Sequence, residues 1–213
     1  FVLMQLSVIA AQQAGLLDNP HGRTQHAGVV PLAGGPAIFI AFMLGGGIAI
    51  DMHSRDSHVL VAFTAIFLLG LVDDWRGLNA RTRLAIQALP ALLVAQLGLA
   101  LITDVGDLLS FGPIELGILA IPLTVLAFAG LTNALNMVDG IDGLAGTLAL
   151  VPLAAITVLA AETNHPLATT TLTLLVPLVV FLLFNLSGGT AWLPKAFLGD
   201  SGSTFLGFAI CYM

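Results

Sequence analysis

The chain has 213 residues, of which 58% are hydrophobic and 8% charged, with a formal net charge of -6 and a mean hydropathy of +1.03. Soluble domains carry about 25% charged residues, so a soluble α/β enzyme is excluded and the chain reads as an integral membrane protein. Six basic residues form no basic patch, which argues against a nucleic-acid partner, and the single Cys211 has no intrachain disulfide partner.

Apolar runs and polar breaks alternate from end to end, so residues 1–213 read as one integral membrane domain. Residues 1–14 look like the end of a membrane helix, followed by a turn-rich polar stretch over 15–33. A span over 34–50 and a short loop over 51–57 come next. Residues 58–72 are apolar but short for a span, and 73–80 (D-D-W-R-G-L-N-A) read as a loop. A span over 81–103 holds Pro90, and 104–112 carries Gly106 and Gly112, which suits a small hairpin. Spans over 113–131, 144–161 and 167–186 follow, and prolines inside them are tolerated where neighbouring helices satisfy the freed carbonyls. A long loop over 187–202 leads to a last helix from 203. The expected fold is an all-α polytopic membrane protein with about eight transmembrane helices. Both terminal runs are shorter than the roughly 20 residues that cross a bilayer. The expectation is therefore truncation at both ends, with Gly202 and Gly207 left without packing neighbours and no activity from this chain alone.

Accordion folding puts the loops 15–33, 73–80, 132–143 and 187–202 on one side. Arg23, Arg76, Arg81, Arg83 and Lys195 fall on or beside that side, and only Arg55 falls opposite. The positive-inside rule makes it cytoplasmic. Asp73, Asp74, Asp139, Asp142 and Asp200 collect there as well, although over a hundred residues separate the first from the last. That convergence predicts an active site at the cytoplasmic face.

The central stretch, residues 133–146, reads N-A-L-N-M-V-D-G-I-D-G-L-A-G. Asn133, Asn136, Asp139 and Asp142 recur every third residue, and Gly140, Gly143 and Gly146 do the same. A helix has about 3.6 residues per turn, so the four polar side chains meet only if the helix tightens or breaks. Many carboxylates with few cations suggest a divalent ion; Mg²⁺ binds oxygen donors, commonly one or two carboxylates plus substrate phosphates. Asp200, flanked by glycines at a helix mouth, suits a ligand, and the backbone N–H groups beside it suit an anion. Arg83, one turn into its helix, suits a phosphate. Together these residues point to metal-assisted phosphoryl transfer. The five histidines are dispersed and form no tight zinc pattern.

Four segments in order carry a resemblance: F-L-L-G-L-V-D-D-W-R-G-L at 67–78 with R-T-R-L-A-I-Q at 81–87, the central stretch, F-L-G-D-S-G-S-T-F-L-G-F at 197–208, and H-A-G-V-V-P-L-A-G-G at 26–35. The chain resembles the polyprenyl-phosphate N-acetylhexosamine-1-phosphate transferases, a branch of glycosyltransferase family 4, and is most like the members that act on N-acetylglucosamine. The resemblance implies attack of undecaprenyl phosphate on the β-phosphate of a UDP-sugar, with release of UMP, in the bacterial inner membrane. It implies Mg²⁺ as cofactor, with Mn²⁺ as an alternative. Asp73 is then the group that deprotonates or orients the lipid phosphate, supported by Asp74. Asn136 and Asp200 match metal-ligand positions, and Arg83, Asn133, Asp139 and Asp142 match substrate-binding ones. A homodimer is compatible with this. The family continues past residue 213 with a basic loop that helps read the sugar.

The runner-up within the family is the transferase for UDP-N-acetylmuramoyl-pentapeptide. A transporter with acidic pathway residues is the alternative from another class, but it predicts acids in mid-span or repeated halves. Here the acids sit at span ends, and no repeat is visible.

The charge bias predicts topology. With Cys211 replaced, single cysteines at Ser54, Asn79 and Ser187 are exposed to an impermeant thiol reagent outside intact cells. Only the Ser54 position is expected to react, and labelling at Asn79 would invert the assignment.

Overall fold

The computed structural model describes residues 1–18, 28–47, 56–108, 110 and 112–213. Among the described residues there are eight α-helices: α1 (Val2–Ala14), α2 (Gly34–Phe42), α3 (Asp56–Arg76), α4 (Ala80–Gln96), α5 (Ala120–Val138), α6 (Leu144–Glu162), α7 (Leu167–Leu186) and α8 (Gly199–Tyr212). A π-helical turn, Met43–Gly47, extends α2, and a 3₁₀ turn, Gly117–Leu119, leads into α5. A two-stranded antiparallel ribbon pairs β1 (Leu17–Asp18) with β2 (Val30–Pro31).

Four of these helices are long and apolar enough to cross a membrane: Ser57–Arg76, Gly117–Val138, Leu144–Glu162 and Leu167–Leu186. The expected eight spans are not reproduced by that measure. The run over 58–72 is not short, because the helix continues through Asp73 and Asp74 to Arg76. The two acids therefore occupy its last turn rather than a loop. Residues 81–103 do not form one span; α4 ends at Gln96, and an irregular segment follows with an antiparallel bridge between Asp104 and Glu115. The final helix begins at Gly199, so Asp200 lies in its first turn instead of in the preceding loop.

Sequence explains these ends. Gly15 closes α1 at φ 71°, a left-handed conformation that glycine adopts without a Cβ penalty. Asn79 caps α4 by accepting the Thr82 N–H at 2.9 Å. Pro90, Pro152 and Pro177 lie inside α4, α6 and α7. Helices α5, α6 and α7 are apolar nearly all round. Leu126, Val151, Leu159 and Val176 stay exposed on them, as expected of sides that face lipid.

Helix α8 is the centre. Every residue from Ser201 to Ala209 is buried, and the helix packs on α2, α3, α5 and α6. Phe205 meets the rings of Phe39, Phe42 and Phe63, while Phe208 meets Phe63 and Phe128. At its first turn the contacts are backbone to backbone. A Cβ at Gly70 would stand 2.5 Å from Ser201 Cα and 2.6 Å from the Asp200 carbonyl oxygen. A Cβ at Gly35 would overlap Gly202. Gly202 is thus packed against Gly35 and Leu198, and Gly207 against Thr132, contrary to the expectation that they lack neighbours. Short apolar α1 sets the Phe1 ring 5.2 Å from that of Phe184, while Gln5 donates to the Trp192 carbonyl.

Gly70→Ala should push α8 off α3. The expected loss is about 1–3 kcal/mol, the usual cost of overpacking, read as a lower melting temperature in detergent. Gly130→Ala, with nothing within 4 Å of its added Cβ, should be neutral or slightly stabilising. Equal melting temperatures for the two variants would show that the contact at Gly70 is not tight.

Candidate active site

An α-helix leaves its first N–H groups without partners inside the helix, and its dipole makes that end positive. In α8 this end is enclosed by other helices, so its amides need protein acceptors. Asp74, from the last turn of α3, accepts from the Asp200 N–H at 2.6 Å and the Ser201 N–H at 3.0 Å. Asp139, just past the end of α5, accepts from the Gly199 N–H. Three successive amides are thus taken by carboxylates from two other helices. The anion that the sequence places at this helix mouth is the protein's own.

Asp73 makes a different set of contacts from Asp74. It is buried, 4% exposed. One of its oxygens accepts the Leu78 N–H at 2.6 Å, which shapes the turn into α4. The other lies 3.3 Å from a guanidinium nitrogen of Arg83, and the same nitrogen is 3.9 Å from the Asp200 carboxylate. The carboxyls of Asp73 and Asp200 also interact directly. Asn136, on α5, donates its amide to Asp200 and to Ser203 Oγ, the latter at 3.0 Å. Ser203 Oγ in turn donates to the Gly199 carbonyl at 3.0 Å. Asp73, Arg83, Asn136 and Asp200 therefore form one network drawn from α3, α4, α5 and α8.

The central stretch does break, but its four polar side chains do not all meet. Helix α5 runs through Asn133 and Asn136 to Val138, and α6 restarts after Gly143 at φ 74°. Asn133 donates to Met137 Sδ at 3.4 Å and joins no acid among the described residues. Asp139 reaches the α8 mouth; burial first, then the charges of Asp200 and Asp74, push its carboxyl up to about 8. Asp142 points to the other side and pairs with Lys195, whose ammonium also lies 5.4 Å over the Phe197 ring. Asn185 was missed by sequence reasoning. It is buried on α7 and bonds both to the turn before α6 and to the loop before α8. A lone Asn inside an apolar run was its available signal. Arg23, Arg55 and His26 lie outside the described residues.

A hard divalent cation fits this donor set. Asp73 and Asp200 share the nearby guanidinium of Arg83, and Asp73 faces Asp200. Among the described residues no three His, Cys, Asp or Glu groups form a ready cage, and Mg²⁺ does not require one, since phosphates complete its shell. Asp73 and Asp200 are the carboxylates turned toward each other, whereas Asp74 is committed to backbone amides. Asn136 presents its amide nitrogen to Asp200, so a ligating carbonyl oxygen would require the flipped amide.

Replacing Asp74 tests its capping role. Asp74→Asn keeps one acceptor but sets an NH₂ against an amide, so it should cost about 1–2 kcal/mol, the range of a lost helix cap. Asp142→Asn, which breaks an exposed ion pair, should cost under about 1 kcal/mol. Thermal melts of the two variants should separate in that order, and the reverse order would remove Asp74 from the helix cap.

Residues 57–213 match the family model of glycosyl transferase family 4. Over 206 residues the chain is 35% identical to the probable undecaprenyl-phosphate N-acetylglucosaminyl 1-phosphate transferase of Bacillus subtilis (strain 168), covering 94% of this chain. It is 30% identical to the undecaprenyl-phosphate alpha-N-acetylglucosaminyl 1-phosphate transferase of Escherichia coli (strain K12), covering 95% of this chain. The likeness to the Salmonella typhi protein of that name is 33%, with the same coverage. The chain spans 55% of the length of each of these relatives. The matched segment contains the whole acid network described above, from α3 to α8, and the chain belongs to glycosyl transferase family 4.

Proposed function

We propose that the protein transfers N-acetylglucosamine 1-phosphate from UDP-N-acetylglucosamine to undecaprenyl phosphate at the cytoplasmic face of the bacterial inner membrane. The observation that carries this reading is the Asp73–Arg83–Asp200 network, assembled from three helices at the end of a membrane-crossing one. The names of the relatives support the sugar and the lipid. An oxygen of the lipid phosphate attacks the β-phosphorus of the donor. A new P–O bond forms, the bond to the bridging oxygen breaks, and UMP leaves with that oxygen, giving the lipid-linked diphosphate sugar.

Asp73 accepts the proton of the lipid phosphate or, when that group is already ionised, orients it. Bound Mg²⁺, or Mn²⁺ in its place, would be held by Asp73 and Asp200 and would neutralise charge on the donor diphosphate. Arg83, already beside both carboxylates, turns its remaining donors to phosphate oxygens. Asn136 keeps Asp200 in place. Asp139, Asp142 and Asn133 border the nucleotide and sugar. The reaction needs positioning and charge neutralisation more than covalent chemistry by the protein.

UMP release is measured on the full-length protein in lipid, with undecaprenyl phosphate, Mg²⁺ and several UDP-sugars in turn. UDP-N-acetylglucosamine should be the preferred donor, and chelation should stop turnover. Asp200→Asn should lower kcat by ~100-fold or more, the scale of losing one preorganised charge group, while its melting curve stays close to wild type. Preference for UDP-N-acetylmuramoyl-pentapeptide would replace the donor assignment, and full turnover by Asp200→Asn would remove Asp200 from the site.

A further inference from the structure

Asn185 stands one residue before the end of α7, in a helix that is otherwise almost wholly apolar, and is 5% exposed. Burying an amide is unfavourable unless its donors and acceptor are used. Here both halves are used, and on two different chain segments. Its Oδ1 accepts the Gly143 N–H, and its Nδ2 donates to the Ala196 carbonyl at 2.9 Å. Gly143 directly follows Asp142 and caps the start of α6. Ala196 lies between Lys195 and Phe197, four residues before Asp200.

We propose that Asn185 is a positioning residue for the nucleotide-sugar donor, which it serves by locking the 139–143 turn to the loop before α8. This rests on the donor-side reading of that turn given above. The same two segments are joined a second time, by Lys195 and Asp142, whose side chains are 25% and 45% exposed. Exposed ion pairs hold weakly and are screened by salt. The two ties therefore differ in kind. The buried amide fixes the spacing of the frame, and the exposed pair opens to a charged ligand without loss of that frame. Asp142, Lys195 and Phe197 then keep their mutual placement while Lys195 is free to exchange its partner. Leu186 adds to the lock from the next position: a Cβ at Gly143 would stand 2.7 Å from its Cδ2, so the turn has no room to slide.

The test uses steady-state kinetics of the full-length protein in lipid nanodiscs, varying UDP-N-acetylglucosamine and undecaprenyl phosphate separately. Asn185→Leu keeps the volume and loses both bonds. Its donor KM should rise about tenfold, the scale of one or two net hydrogen bonds. Its acceptor KM and its kcat at saturating donor should stay within about threefold of wild type, the signature of lost binding rather than lost chemistry. Asn185→Asp keeps the acceptor for Gly143 and loses the donor to Ala196, so its donor KM should rise less. A merely structural role would lower kcat through a smaller active fraction and leave the donor KM unchanged. An unchanged donor KM in whichever variant folds therefore overturns the proposal. Wild-type protein that releases no UMP from any UDP-sugar would instead overturn the functional reading on which it rests.

Discussion

The buried end of α8 is the constraint from which the site follows. Its first amides and positive dipole end lie among other helices and take protein acceptors there. Carboxylates from α3 and α5 meet that need, through Asp74 and Asp139. Once Asp74 is tied to the α8 backbone, its neighbour Asp73 points toward Arg83 and the Asp200 side chain. The capping by Asp74 and the turn of Asp73 toward Arg83 are thus one arrangement, because adjacent residues on a helix point about 100° apart. An Asp-Asp pair can then serve two tasks in two directions.

Close packing makes the arrangement rigid. Gly70 and Gly35 bring α3 and α2 within backbone contact of the first turn of α8, where any side chain would collide. Below that turn, the rings around Phe205 and Phe208 fill the interior. Phosphoryl transfer depends on geometry held to a fraction of an ångström. A helix start that is capped, glycine-packed and anchored by aromatics offers such geometry, while the exposed Asp142–Lys195 pair at the mouth does not have to. The division between a fixed floor and an adjustable rim suits the proposed reaction, in which a large charged donor and a lipid headgroup must enter.

Several residue types announced themselves. An Asp-Asp pair, a glycine-flanked Asp and an Arg one turn into a helix are costly near a membrane, so they stood out by type and spacing. Their relations were not. Asp74 caps a helix that begins 125 residues later, and no local pattern encodes that. The three-residue spacing of Asn133, Asn136, Asp139 and Asp142 suggested one meeting point, yet the chain breaks after Val138, so Asp139 and Asp142 face different partners. Asn185 carried a signal that was weaker than its consequence, since a single amide in an apolar run does not say which backbone groups it will meet.

By itself, the sequence determined the class of the protein, its alternation of apolar runs, and the residue types of the candidate site. Composition and local propensity act over a few residues, and a sequence displays them directly. Only the tertiary structure decided that α3 extends through its acids, that Asp200 opens a helix, and which carboxylate caps while its neighbour faces Arg83. Those outcomes depend on satisfying buried polar groups across helices distant in the chain, where the partner of each group is set by packing and not by spacing.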